Sequence, residues 1–368
     1  MARKNRIVVH DGVYHLTTRI ANKAMLFKSD SLKDRIVDWM YDVADFSGVE
    51  LLSWCVMENH LHVIVHVPPV PERYWLDSNS EPSTTSFTLR PSACTTPRWY
   101  PDGDCPPDHD NPDPRPPVGF MLSDEEMISR LVYLYGSKVA EDKAEQWVAK
   151  RLNKQGAEVD AEKERYCRRM YNVSQFAKTL KERIAMRYNK LFKHEGCLFQ
   201  GRFNSVIIDK TPADFGSVAS YIAVNPIKAR IARGFADWRW SSFTLACKGD
   251  SPRAERCRQA YAKMLGCDWL EAKAMMEGFM TDRLPEGFDV NAGKFSYEVV
   301  DSEGNSKKVP LRISQVIWLK VKAFTQGGFV SRNMQFVKNS LADLPKGFAH
   351  QEPWGVDFLS HLDWTRAA

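Results

Sequence analysis

No run of eighteen consecutive apolar residues occurs anywhere in the 368 residues, so no membrane-crossing helix is expected. The opening stretch, Met1 to Ile7, is basic and lacks the apolar core of a secretory leader. The eight cysteines (55, 94, 105, 167, 197, 247, 257 and 267) never stand as Cys-x-x-Cys, and none has a Cys/His spacing that suits a structural zinc site. Scattered single cysteines fit the reducing cytoplasm. Bulk charge of one sign is lacking too: the formal net charge is only +5, so overall charge alone does not demand a polyanionic partner. No internal repeat is visible.

The distribution of charge says more than its sum. Residues 161–210 hold twelve Lys/Arg against five Asp/Glu, whereas residues 101–126 hold eight Asp/Glu and one Arg. A basic stretch of this kind is either a polyanion site or a solvated helix face. Thirteen of the twenty prolines fall within residues 68–117, among Ser, Thr and Asp, and no periodicity survives there. That segment reads as an extended or disordered insertion.

Either side of it the pattern is regular. Val13 to Thr18 is rich in β-branched and aromatic residues and reads as a strand. Leu32, Ile36, Trp39, Met40 and Val43 recur at helical spacing until Gly48. Leu51 to Met57 is a second strand, Glu58-Asn59 a tight turn, and His60 to Val67 a third strand. In the third, Leu61, Val63, Val65 and Val67 share one face, and His60, His62, Ile64 and His66 share the other. Strand, helix, strand, strand is the opening half of a ferredoxin-like sandwich. Ser123-Asp124-Glu125-Glu126 is a capping box that opens a helix to about Ala140. Another helix starts at Ser174, with Phe176, Leu180, Ile184 and Tyr188 at four-residue intervals. A helix from Thr211 is predicted to stop or kink at Asn225-Pro226, with a new one starting at Ile227. Four parts follow: a first part of the main domain at 1–67, the insertion at 68–122, a helical segment with the second part of that domain at 123–245, and a C-terminal α+β appendage at 246–368.

The chemistry centres on His60 and His62. Two residues apart on a strand, both imidazoles point to one face, where neutral rings can hold a divalent metal with a third ligand from elsewhere. A bare His-x-His pair is more often simply hydrogen-bonded, so the flanking residues matter. Met57-Glu58-Asn59-His60-Leu61-His62-Val63-Ile64-Val65 resembles the Asn-His-hydrophobic-His strand of single-tyrosine HUH transposases, the REP-associated tyrosine transposases in particular. Other blocks agree in order: Val13 to Arg19, Tyr188-Asn189-Lys190, Gly196 to Phe203, Tyr221-Ile222-Ala223-Val224-Asn225-Pro226-Ile227-Lys228-Ala229, and Trp238-Arg239-Trp240-Ser241-Ser242. Each block alone is weak; the ordered set, spanning about residues 5–245, is specific.

The resemblance implies an α/β (α+β) HUH sandwich with an antiparallel sheet, bound Mg²⁺ or Mn²⁺, and single-stranded or hairpin DNA as partner. It also implies strand cleavage and rejoining through a 5′-phosphotyrosine, a nucleoid-associated location in the cytoplasm, and a homodimer. On the helix before Asn189 the family's tyrosine position is held by Ile184, which cannot attack a phosphate. Tyr188, one turn on, is then either the nucleophile or a core aromatic beside Ile184, with Tyr171 as a further candidate. Asn189 is either a third metal ligand or a helix-end residue. Arg183, Arg187, Lys190, Lys193 and Arg202 are expected to contact phosphates, and Phe199, Phe203 and Trp240 either stack on bases or pack in the core. The alternative function is a domesticated DNA-binding protein that kept the fold and lost the catalytic tyrosine.

Overall fold

The computed structural model describes residues 8–76, 119–281, 296–300, 306–310, 329–331 and 336. Its centre is a sheet ordered β2-β3-β1-β4-β5, where β1 is Gly12–Arg19, β2 Glu50–Val56, β3 His60–Val67, β4 Asn204–Ile208 and β5 Phe329–Val330. β1 pairs antiparallel with both β3 and β4, and β2 antiparallel with β3; β5 adds two residues parallel to β4. The first four strands thus have the ferredoxin-like order, and the fold is mixed α/β around an antiparallel sheet.

One helix crosses each parallel gap. α1 (Asp30–Ser47) links β1 to β2. Ser29 caps its first turn, its Oγ accepting from Leu32 N, and Gly48 ends it in the left-handed region at φ 66°. α5 (Val173–Phe192) leads into β4 and is capped by Asn172, whose Oδ1 accepts from Ser174 N and Gln175 N. Both helices cover the same sheet face. Ile36, Met40, Phe176, Leu180, Ile184 and Tyr188 share one buried core with Leu16, Leu61, Val63 and Val65.

Between β3 and α5 stand α2 (Asp124–Tyr135), α3 (Ser137–Leu152) and α4 (Gly156–Cys167). The predicted capping box is present at Ser123 and Glu126. The helix expected to reach Ala140 breaks at Gly136 instead, and the charged stretch after it buries Trp147 and Val159. Most of the proline-rich insertion, residues 77–118, lies outside the described residues. Its stem does not: Trp75 bridges Phe120, Leu76 N donates to Gly119 O and Met121 N to Tyr74 O, so the insertion leaves and re-enters the fold at one place.

The opposite sheet face is covered by α6 (Pro212–Lys228), α7 (Ser242–Lys248), α8 (Pro252–Leu265) and α9 (Trp269–Thr281). Phe215, Val218, Ile222, Tyr261 and Met276 form a second core with Val13, Cys55, Ile64 and Val206. Two expectations change here. α6 runs through Pro226 to Lys228 and no new helix begins at Ile227; the chain turns instead at Arg230, φ 61°. Pro226 sits in the last turn, where its missing N–H costs one hydrogen bond and few residues follow to be disrupted. The division expected at 245/246 falls inside α7; α8 packs on β2 and α9 on α6 and α8, so residues up to 281 share the core of the main domain. Among the described residues no helix is long and apolar enough to cross a membrane.

Candidate functional site: the histidine face of the sheet

The site follows from strand alternation. β3 pairs with β1 so that His60 lies opposite Arg19, His62 opposite Thr17 and Ile64 opposite His15. Directly opposite residues share a face, so His15, Thr17 and Arg19 of β1 line up beside His60 and His62. The rings touch: His15 and His62 stack with centroids 5.2 Å apart, and His60 and His62 stand at 4.9 Å and nearly perpendicular.

Hydrogen bonds set the tautomers. Asn59 Nδ2 donates to Lys23 O (3.2 Å), a carbonyl that can only accept, so the Asn59 oxygen is the atom turned to His60. His60 Nδ1 therefore carries the proton and donates to Asn59 Oδ1 (2.6 Å), which leaves the lone pair on Nε2. His62 Nδ1 lies 3.0 Å from His15 Nε2. A lone pair on His62 Nε2 requires His62 to donate and His15 to accept, the arrangement by which an outer residue orients a metal-binding imidazole. Burial is the largest influence on both rings, with Arg19 and Lys228 adding to it. The His60 pKa is pushed down to about 4, and His62, which also feels His60 and His15, well below the usual range. Both imidazoles are neutral at pH 7, as metal binding requires.

The helix over this face is α6. Its Tyr221 ring meets His62 edge-on at 5.6 Å and 88°, and His15 at 6.2 Å and 76°. Asn225, one turn on, is 7% exposed and donates its Nδ2 to Tyr221 O (2.9 Å), so Oδ1 is the atom it can offer to a ligand. Lys228 completes the stripe at i, i+4 and i+7. Among the described residues no three His, Cys, Asp or Glu form a metal-holding cluster. Beyond the two imidazoles, the donors available here are an amide oxygen, water and a ligand's own oxygens.

The tyrosines predicted for this role lie elsewhere. α5 covers the opposite face of the sheet, against Leu61 and Val63, so neither Tyr188 nor Asn189 shares a site with His60 and His62 in this chain. Tyr188 packs edge-on to Phe27 and beside Phe192. Asn189 fastens the helix end, its Nδ2 to Gly196 O and its Oδ1 from His194 Nδ1. Tyr171 takes a bond from Arg130 Nη2 (2.8 Å) and belongs to the same α1/α5 core. His66 lies at the other end of β3, between Asp11 and Glu50, as a structural residue.

The basic residues separate in the same way. Arg183 is turned inward to Leu134 O and Asp42 and is not a phosphate contact. Asp42 is one of four α1 aspartates that each hold an arginine: Asp34 with Arg239, Asp38 with Arg253, Asp42 with Arg183 and Asp45 with Arg256. Arg187, Lys190, Lys193 and Arg202 are exposed. Phe199, Phe203 and Trp240 are all core residues, 4–8% exposed. The Trp-Arg-Trp-Ser-Ser block is a buttress for β2: Trp238 Nε1 donates to Val56 O, Trp240 Nε1 to Asp34, and Ser242 Oγ accepts from Trp54 N.

Sequence reasoning thus missed His15, Arg19, Tyr221, Asn225 and Lys228 as site residues. A signal existed. His15, Thr17 and Arg19 alternate with the apolar side of β1, and Tyr221 and Asn225 place polar atoms on one stripe of an otherwise apolar helix.

Residues 8–72 match the family model described as "Transposase IS200 like". This segment runs from before β1 past β3 and includes the histidine pair, so the resemblance to single-tyrosine transposases is borne out over it. No curated protein matches the chain. Among solved structures, one described as "Structure of the REP associates tyrosine transposase bound to a REP hairpin" aligns at 14% identity over 69% of this chain and 90% of that one, with a TM-score of 0.35.

Proposed function

We propose that the chain is a transposase-like DNA-processing protein whose nucleophile is Tyr221, acting on single-stranded DNA beside a hairpin. The observation that carries this reading is the Tyr221 ring standing over His62 on the histidine face. His60, His62, Asn225 and Tyr221 all come from one chain.

The donor set fits a divalent cation. Two neutral imidazoles with their Nδ1 atoms engaged, together with the Asn225 amide oxygen, would hold Mg²⁺ or Mn²⁺ and leave positions for phosphate oxygens. Such an ion supplies Lewis-acid stabilisation of charge on a phosphodiester. The residues supply the rest. A tyrosine phenol keeps its proton to about pH 10, so it is a weak nucleophile until it is positioned and relieved of that proton. Its oxygen attacks phosphorus, the bond to the 3′ oxygen breaks, and the proton lost by the phenol balances the one gained by the 3′-hydroxyl. The product is a 5′-phosphotyrosine. Asn225, bonded to the Tyr221 carbonyl, holds that turn of α6 in register.

One observation favours a second reading, DNA binding without cleavage: Tyr221 is only 3% exposed, so a phosphate must displace neighbours to reach it. A single experiment separates the two. The protein is incubated with end-labelled hairpin oligonucleotides carrying single-stranded flanks and Mn²⁺, then denatured. A covalent adduct in the wild type that is lost in Tyr221→Phe and kept in Tyr188→Phe supports the enzyme. Tight binding with no adduct supports the second reading, and an adduct that survives in Tyr221→Phe removes Tyr221 from the mechanism.

A further inference from the structure

Many cations in this protein are held by carboxylates. Besides the four arginines on α1, Lys163 and Arg151 share Asp124, Lys143 holds Glu162, Lys210 holds Asp11 and Lys263 holds Glu50. Arg19 and Lys228 are not so held, and unlike the exposed cations of α5 they stand beside the histidine face. Neither has a carboxylate within ion-pair distance among the described residues, and both lie near enough to the histidine pair to act on its charge. Lys228 is half-buried and Arg19 exposed. A partly desolvated cation with no carboxylate partner opposes folding unless an anion joins it.

Their placement is defined by the backbone. Arg19 ends β1 directly opposite His60. Lys228 ends the stripe of α6 that carries Tyr221 and Asn225. A group lying on the histidine pair therefore has Arg19 on the strand side and Lys228 on the helix side. A guanidinium offers paired N–H donors that match two oxygens of one phosphate, and an ammonium adds a point charge.

We propose that Arg19 and Lys228 form a two-sided clamp that seats one DNA phosphodiester against the His60–His62 face. This rests on the DNA-processing reading above and names the residues that hold the reacting phosphate. The competing account of Lys228 alone is that a cation at a helix C-terminus is favourable in its own right. It leaves Arg19 unexplained, and it requires no dependence on any one phosphate.

The test is a cycle between protein and DNA charges that needs no catalysis. Hairpin oligonucleotides are prepared with each flank phosphate replaced in turn by an uncharged methylphosphonate. Affinities are measured for wild type, Arg19→Gln, Lys228→Met and the double variant, with folding checked by thermal melts. In the wild type one position costs about tenfold or more when neutralised. In the double variant that position costs little, while the others are unchanged, and the salt slope falls by about 0.7 for each cation removed, as for single strands. Lys228→Arg keeps the wild-type pattern, which holds the test open if Lys228→Met folds poorly. The same penalty at the same position in wild type and double variant overturns the clamp. So does displacement of DNA by inorganic phosphate at equal concentration, which would make this an inorganic-phosphate site. Coupling without a covalent adduct supports the clamp and rejects cleavage; an adduct without coupling does the reverse. Failure of the wild type to bind any of the oligonucleotides rejects both.

Discussion

Tyr188 and His62 lie on opposite faces of one sheet. Each is buried, each is aromatic, and each stands in a block expected to carry the chemistry, yet a layer of backbone separates them. A phenol on α5 cannot reach a phosphate held by the histidines, whereas one on α6 already touches them.

Ile184 is therefore a core residue rather than a lapsed nucleophile. It is fully buried under α1. Ile184→Ala is expected to lower unfolding free energy by about 2–5 kcal/mol in urea titrations. Ile184→Tyr overpacks the same core at a cost of about 1–3 kcal/mol and creates no adduct-forming activity. Cleavage gained by Ile184→Tyr would place the reacting phosphate on the wrong side of this structure.

His15 positions His62 through their shared hydrogen bond. His15→Phe keeps a ring in the stack and removes the partner nitrogen. Mn²⁺ affinity, followed by electron paramagnetic resonance, is expected to fall about 10–100-fold, and His60→Ala with His62→Ala to abolish it. Unchanged affinity in His15→Phe would mean that His62 holds no ion through Nε2.

Arg183 and Arg187 are four residues apart on α5 and differ in role. Arg183→Ala breaks charge-assisted bonds to Asp42 and Leu134 O and is expected to cost about 1–3 kcal/mol of stability, with the salt slope of DNA binding unchanged. Arg187 is exposed, and Arg187→Ala leaves the melting temperature in place. A change of salt slope in Arg183→Ala, with no loss of stability, would contradict the inward placement.

Acid weakens the fold through Glu50 and Asp124. Hydrogen bonds from His66 lower the Glu50 pKa to about 2, aided by Lys263, and those from Arg151 and Lys163 do the same for Asp124. Depressed folded-state pKa values give stability that is complete above the unfolded carboxylate range, near pH 4 to 4.5, and is lost as pH falls towards 2. Both side chains are more than a third exposed, so the contribution of each is under about 1 kcal/mol after screening. Urea midpoints are expected to be level from pH 7 to 5 and to drop between 4.5 and 2, less steeply in Glu50→Gln. A wild-type slope unaffected by that substitution would exclude this cluster as a source.

Local signals in the sequence were legible wherever the cause was local. The strand His60–Val67 has the predicted bounds because its alternation is uninterrupted and a turn precedes it. α1 extends beyond its apolar stripe, Leu32 to Val43, at both ends, since Ser29 and Gly48 mark the limits. The identity of the helix over the histidines was not local. α5 is amphipathic and α6 is buried almost all round, yet each carries a tyrosine in a recognisable block. What separates them is handedness: the crossover through α5 falls on the same sheet face as the crossover through α1, and that face is the one with Leu61, Val63 and Val65. Arg183 was misjudged for a related reason, because its partner Asp42 lies on another helix far away in sequence.

The place of β1 in the sheet has a consequence for how the chain is made. β1 leaves the ribosome well before its partner β4, which follows both the proline-rich insertion and the four helices α2 to α5. Until Asn204–Ile208 emerges, one edge of β1 stays open, and the histidine face stays bare until α6 to α9 arrive. Such long-range closure is slow and leaves a nascent chain prone to clumping. Production of this protein is therefore expected to depend on elongation speed and chaperone supply more than on the stability of the finished molecule.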